Sequence, residues 1–276
     1  LYALRDVTAT VDSIPLIASS VMSKKIAGGS DAIVLDVKVG EGAFIKDLND
    51  ALALAKVMVG IGESFGKRTI AVITDMNQPL GRAIGNSLEV IEACEALKGH
   101  GSKELMEVCL TLGNYMLILS GIARSSGEAR EMLQDALVTG KGMEKLKEMV
   151  KAQGGNANAL EDYSLLPRAR IKYELKAQED CYVSKLEAEK IGMCAMMLGA
   201  GRSKKDDKID HSVGIVLYKK AGDHVCAGEI IATIHGNDEG LLEDVLPEVK
   251  DAIKTSKQKV PANKLIYAVV KDEGVE

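Results

Sequence analysis

Arg5, Ser20 and Lys24 are the residues of this chain whose types and spacing best suit chemistry. Ser20 and Lys24 stand four apart in a stretch that reads as a helix, so a hydroxyl and an ammonium emerge from one face, and Arg5 in the preceding segment adds a two-pronged donor. Converging donors of this kind suit a planar heterocycle edged by carbonyl and ring-nitrogen acceptors, as a pyrimidine base is. When the bond from such a ring to a sugar is cleaved, the departing ring gains negative charge that the same donors stabilise. The alternative is a capped amphipathic helix with a solvated lysine, and spacing alone does not choose between the two.

The elements that must position these residues can be read in order. Ser13 suits an N-cap, Pro15 falls in the first turn where its missing N–H costs nothing, and Gly28-Gly29 reads as the stop. Residues 32–39 (AIVLDVKV) form a short, β-branched apolar run ending at Gly40, as a buried parallel strand does. A helix is expected over 47–65, with Leu48, Leu52, Ala55, Val59 and Gly62 near one stripe, and a second strand over 68–75; strand, helix, strand is a parallel crossover. Ligands of such sheets gather at the strand C-termini, here around Gly40 and Asp75. A helix over 86–97 and two or three more to residue 153 follow. Past Pro167 short strands recur at 171–175, 181–184, 213–218 and 230–234, with helices expected over 185–198 and 239–257.

Other polar residues carry competing readings. Asp36 and Lys38 alternate with apolar neighbours on a strand, and burying such groups demands partners, so a structural ion pair is expected. In the stretch from Asp75 to Arg82, turn-forming Asn77 and Gly81 leave backbone carbonyls as hard oxygen ligands, with Glu92 one helix away; this is a cation loop or a plain strand-to-helix loop. The four histidines (His100, His211, His224, His235) show no helical i, i+4 pair and read as structural.

Composition narrows the function classes. A net charge of −5, no Trp and two Phe argue against a nucleic-acid partner. No run of eighteen apolar residues is present, so no membrane-spanning helix is expected. Five scattered cysteines, without the pairs of a zinc site, fit reduced thiols and a cytoplasmic location.

The run from Arg5 to Lys25, with Arg-Asp-Val-Thr-Ala-Thr, Ser-Ile-Pro-Leu-Ile and Met-Ser-Lys-Lys, resembles the pyrimidine-nucleoside phosphorylase and thymidine phosphorylase family. Resemblance continues through Leu35-Asp36-Val37-Lys38-Val39-Gly40 and Gly42-Ala43-Phe44, then from Thr74 to Asn86, and on to the end of the chain. It implies an α/β fold of the nucleoside phosphorylase type: a remnant of the α lobe over 1–30, a mixed-sheet α/β domain over 31–166 and a C-terminal α+β domain over 167–276. It implies phosphorolysis of uridine, thymidine and deoxyuridine to free base and pentose 1-phosphate, with inorganic phosphate as co-substrate and no organic cofactor. Arg5, Ser20 and Lys24 would hold the pyrimidine, and Leu80, Ala83 and Glu92 would help to hold a monovalent cation, potassium. A cytoplasmic homodimer is implied, with Gly28 and Gly29 as hinge residues for lobe closure.

The family's Lys-His-Ser-Thr-Gly-Gly phosphate loop would lie ahead of Leu1, so the chain is expected to be the C-terminal part of a longer enzyme, with little or no activity alone and no catalytic residue of its own. Glu41 departs from the smaller residue expected there, and a carboxylate facing the pocket would weaken phosphate affinity. The run from Val213 to Glu229 also resembles the half-barrel of biotinyl and lipoyl carriers, but Lys219 and Lys220 precede the turn and lack a carrier's flanking methionines. Two alternatives differ in class. One is a non-catalytic pyrimidine-binding or scaffold module, marked by base binding without turnover. The other is an anthranilate-type phosphoribosyltransferase, which would need a diphosphate- and magnesium-binding acidic motif that is not found.

Overall fold

A computed structural model describes residues 13–202, 204 and 206–276. In chain order the first elements are α1 (Ile14–Ala27), β1 (Ala32–Val39), α2 (Leu48–Ser64), β2 (Arg68–Asp75), β3 (Ala83–Ile84), α3 (Asn86–Leu97), α4 (Lys103–Leu119), α5 (Ser126–Val138) and α6 (Lys141–Ala152). Then come β4 (Ile171–Lys176), β5 (Cys181–Leu186), α7 (Ala188–Ala195), β6 (Gly214–Leu217), β7 (His224–Val225), β8 (Ile230–Gly236), α8 (Glu239–Ala252), β9 (Ile253–Ser256), β10 (Ile266–Lys271) and β11 (Gly274–Val275). The chain divides into two compact units that interleave in sequence, so the composition change near Pro167 is not where they part. The first takes the residues up to Met76, with Glu107–Gln134 and Lys264–Glu276; the second takes Asn77–Met106 and Asp135–Asn263.

The first unit is built on a sheet of order β1-β2-β10-β11. β1 and β2 are parallel, in register from Ala32 opposite Arg68 to Val39 opposite Asp75. The expected crossover is therefore present, and β10, which the sequence did not announce, adds antiparallel to β2. Ile33, Leu35, Val37 and Val39 pack with Ala18 and Met22 of α1 and with α2. On the opposite face, Val34, Ile70 and Val72 meet Leu112, Tyr115 and Leu119. The buried stripe of α2 is Ala51, Leu54, Ala55, Met58, Val59 and Gly62, rotated slightly from the expected one, and Leu48 is exposed. Asp47 caps this helix, its side chain accepting the Asn49 N–H at 2.7 Å.

The second unit holds an antiparallel sheet of order β3-β6-β8-β4 and a three-stranded sheet of order β7-β5-β9. Their shared core includes Leu186, Ile191, Val213, Ile215, Leu217 and Ile234. Two helices are shorter than expected. Lys185 and Leu186 belong to β5, so α7 starts at Ala188, and α8 stops at Ala252 because Ile253–Ser256 leaves to pair with β5. In both cases a ladder of cross-strand bonds outbids a modest helical propensity. Gly85 and Gly214 sit at the β3–β6 crossing with φ of 134° and 151°. A Cβ on Gly214 would lie 2.1 Å from the Ile84 carbonyl, which only glycine avoids.

Candidate functional site

Helix α1 starts as its sequence suggests: Ser13 is the N-cap and Pro15 lies in the first turn, although the Ser13 side chain makes no capping bond. Ala18 and Met22 are fully buried. Two residues on, at 100° per residue, lie Ser20 and Lys24, which therefore form a stripe about 200° away on the side turned from the core. Ser20 is half-buried, its hydroxyl donating to the Ile17 carbonyl at 3.1 Å, and Lys24 is exposed. Lys24 stands in the last turn, where the unsatisfied carbonyls of the helix favour a cation. The Gly28 N–H closes the helix on the Lys24 carbonyl at 3.0 Å, and Gly29 turns the chain away with φ of 75°. Arg5 lies outside the described residues.

At the carboxyl ends of β1 and β2, Asp36 and Lys38 pair at 2.6 Å. Thr74, fully buried on the neighbouring strand, joins them: it accepts from Lys38 Nζ at 2.9 Å and donates to Asp36. Ammonium, hydroxyl and carboxylate thus satisfy one another in a closed ring, the structural ion pair expected of these two residues, with Thr74 as an unanticipated third member. The signal for Thr74 was its place on the same strand face as Asp36 and Lys38 once the parallel register is drawn. Next to it, the Asp75 carboxylate is buried and accepts the Tyr267 hydroxyl at 3.0 Å. The loop after β1 is tied to β2 by the Gly42 N–H on the Met76 carbonyl at 2.9 Å, and it leaves Phe44 75 % exposed.

In the second unit the loop from Asn77 to Arg82 leads into β3. Glu92, from α3, reaches back to accept the Arg82 N–H at 2.6 Å and the Ala83 N–H at 3.1 Å. The Leu217 N–H bonds the Arg82 carbonyl at 2.7 Å, so the alternation of an antiparallel ladder turns the N–H and C=O of Ala83 to the other side, off the edge of the sheet and beside Glu92. A carboxylate has about four lone-pair positions, so two N–H bonds leave Glu92 able to ligate. Ala83 and Glu92 therefore fit a monovalent cation. The carbonyl of Leu80, the third expected ligand, accepts from Lys220 Nζ at 3.3 Å. Among the described residues no cluster of three or more His, Cys, Asp or Glu is suited to a metal.

Lys220, weighed from the sequence only as a carrier-type lysine, has a placement that sequence reasoning missed. It is 3 % exposed, and its ammonium donates to the carbonyls of Pro79, Leu80 and Gly81. Burial pushes its pKa down to about 8, against the opposing pull of Glu104. Its backbone is fixed by the Lys220 N–H on Asp223 at 2.8 Å and by the Ala221 N–H on the buried Gln78 side chain at 3.1 Å. Nothing local marked it, since its partners lie about 140 residues earlier. Lys219 donates to the His224 carbonyl at 3.1 Å and pairs with Glu229. Neither lysine is displayed as a carrier's would be. Of the histidines, His100 bonds Glu95 at 3.0 Å, His224 meets the Tyr182 ring edge-on, and burial lowers the pKa of His235.

Comparison with known proteins adds to this geometry. Residues 1–143 match the family model described as "Glycosyl transferase family, a/b domain", and residues 182–256 match "Pyrimidine nucleoside phosphorylase C-terminal domain". The chain is 55 % identical over 267 residues to a pyrimidine-nucleoside phosphorylase of Geobacillus stearothermophilus, covering 97 % of this chain and 61 % of that protein. It is 53 % identical over 270 residues to one from Staphylococcus epidermidis ATCC 12228, and 52 % over 270 residues to one from Staphylococcus aureus USA300, in each case 98 % of this chain and 62 % of the relative. The chain thus spans about three fifths of the length of the curated relatives it matches.

Proposed function

The chain belongs to the glycosyl transferase family, and on that footing we propose that it serves a pyrimidine-nucleoside phosphorylase, moving the pentose of uridine, thymidine or deoxyuridine from the base to inorganic phosphate. The observation that carries this reading is the Ser20–Lys24 stripe on the face of α1 turned from the core. As a phosphate oxygen bonds to C1′, the bond from C1′ to the ring nitrogen breaks and its electron pair passes to the ring, where it spreads onto the carbonyl oxygens. Lys24 donates to that developing charge and Ser20 orients the ring edge, with Arg5 as their partner from the same sequence motif. A donor aimed at charge that develops in the transition state is worth roughly 10²- to 10³-fold in rate.

Potassium is proposed at Ala83, Glu92 and Leu80, where it would pin the loop between β2 and α3. A homodimer in the cytoplasm completes the reading, and the five unpaired thiols suit a reducing compartment. Among the described residues no helix is long and apolar enough to cross a membrane.

The test is phosphate-dependent release of uracil from uridine, with calorimetric titration of uracil beside it. In the complete enzyme, Lys24→Ala is expected to lower kcat/KM by roughly 10²- to 10³-fold and to weaken uracil binding. Unchanged values in both measurements would remove Lys24 from the site. Uracil binding without turnover would make this chain a base-binding module.

A further inference from the structure

Three consecutive carbonyls, those of Pro79, Leu80 and Gly81, converge on one point of the second unit, and the group at that point is the ammonium of Lys220. An ammonium has three N–H donors and no acceptor, so the match is one to one. Its hydrogen-bond partners are carbonyls and not carboxylates, as in the sites where backbone oxygens replace the hydration shell of a monovalent ion. The surrounding residues hold this lysine rather than merely tolerate it. Asp223 takes its backbone N–H, Gln78 takes that of Ala221, and Lys220 is 3 % exposed.

We infer that the loop 78–83 has two monovalent-cation positions, and that Lys220 is a tethered ion filling the inner one on the carbonyls of Pro79, Leu80 and Gly81. The outer position, at Ala83 and Glu92, is the one left to a free ion. The two meet at Leu80, whose carbonyl faces the lysine, so Lys220 acts as a positioning residue for the outer ligands. Removing its side chain leaves three inward carbonyls around a space the size of an ammonium ion, and a free cation of that size should then stabilise the loop from solution.

Thermal unfolding in ammonium, potassium and choline chlorides at equal ionic strength tests this. In choline chloride Lys220→Ala should melt several degrees below the wild type. Ammonium should restore most of that loss and potassium part of it, so that the gain over choline is larger in the variant than in the wild type. Lys220→Gln, which is one bond shorter and keeps two of the three N–H donors without the charge, should melt between the two and gain less from ammonium. Equal gains in wild type and both variants would overturn the inference. So would variants that fail to fold in every salt, since ammonium should restore them. The measurement uses no substrate, so its failure is separate from any failure of the phosphorylase reading.

Discussion

Gly81→Ala is the most direct probe of how Glu92 holds the loop from Asn77 to Arg82. A Cβ at position 81 would lie 2.3 Å from Glu92 Oε2 and 2.9 Å from its Cδ, closer than non-bonded atoms approach. The carboxylate has little freedom to retreat, because it holds the N–H groups of Arg82 and Ala83 at 2.6 and 3.1 Å. Moving it forfeits two hydrogen bonds to a charged group, at about 1.5–3 kcal/mol each, and water replaces part of the loss, so the variant should lose roughly 2–4 kcal/mol. At about 2–4 °C per kcal/mol, Tm should fall by roughly 5–15 °C. The φ of Gly81 lies outside the left-handed region, so alanine carries no backbone penalty there. In a Glu92→Ala background the obstacle is gone, and the substitution should stabilise by about 0.4–1 kcal/mol through the unfolded chain. Urea unfolding of the four proteins of this double-mutant cycle reads the sign change directly. The same loss in both backgrounds, or a Gly81→Ala variant within about 0.5 kcal/mol of the wild type, would refute the argument.

Two further outcomes follow from the same structure. The Glu95 carboxyl is held down to about 2, first by the Tyr163 hydroxyl and then by His100. A folded value below the unfolded one stabilises fully above about pH 5 and is lost as pH falls towards 2, so urea midpoints should drop across that window and drop less steeply for Glu95→Gln; parallel slopes would show that the network contributes nothing. Thr74→Val keeps the shape of the buried side chain but removes the hydroxyl shared by Lys38 and Asp36. It should cost about 1 kcal/mol of stability, while a cost near zero would mean that the Asp36–Lys38 pair closes without it.

Elements with a strong local pattern were legible from the residues alone. The spans of β1 and β2, the start of α1 at Ser13 and Pro15, and the helix over 86–97 all rest on neighbours in sequence: β-branched runs, caps and glycine stops. The family resemblance was equally legible, because its motifs are contiguous. Where the reading stopped short, the deciding partners were distant. Lys185 and the residues after Ala252 left their expected helices because they pair with one another, as parts of β5 and β9. Ile266–Lys271 carries too short a pattern to announce that it completes the sheet beside β2.

The division of labour is clearest at the two candidate sites. Ser20 and Lys24 share a face because a helix repeats every 3.6 residues, and the sequence by itself determined that much. The positions of Leu80, Ala83 and Glu92 were named from motif likeness, but only tertiary structure gave them their hydrogen-bond partners. Pairing of β3 with β6 turned the Ala83 carbonyl to the edge, and the fold carried Lys220 to three carbonyls across about 140 residues. Such a contact leaves no trace in local periodicity, because what selects it is the need of a buried charge for partners wherever the packed chain brings them.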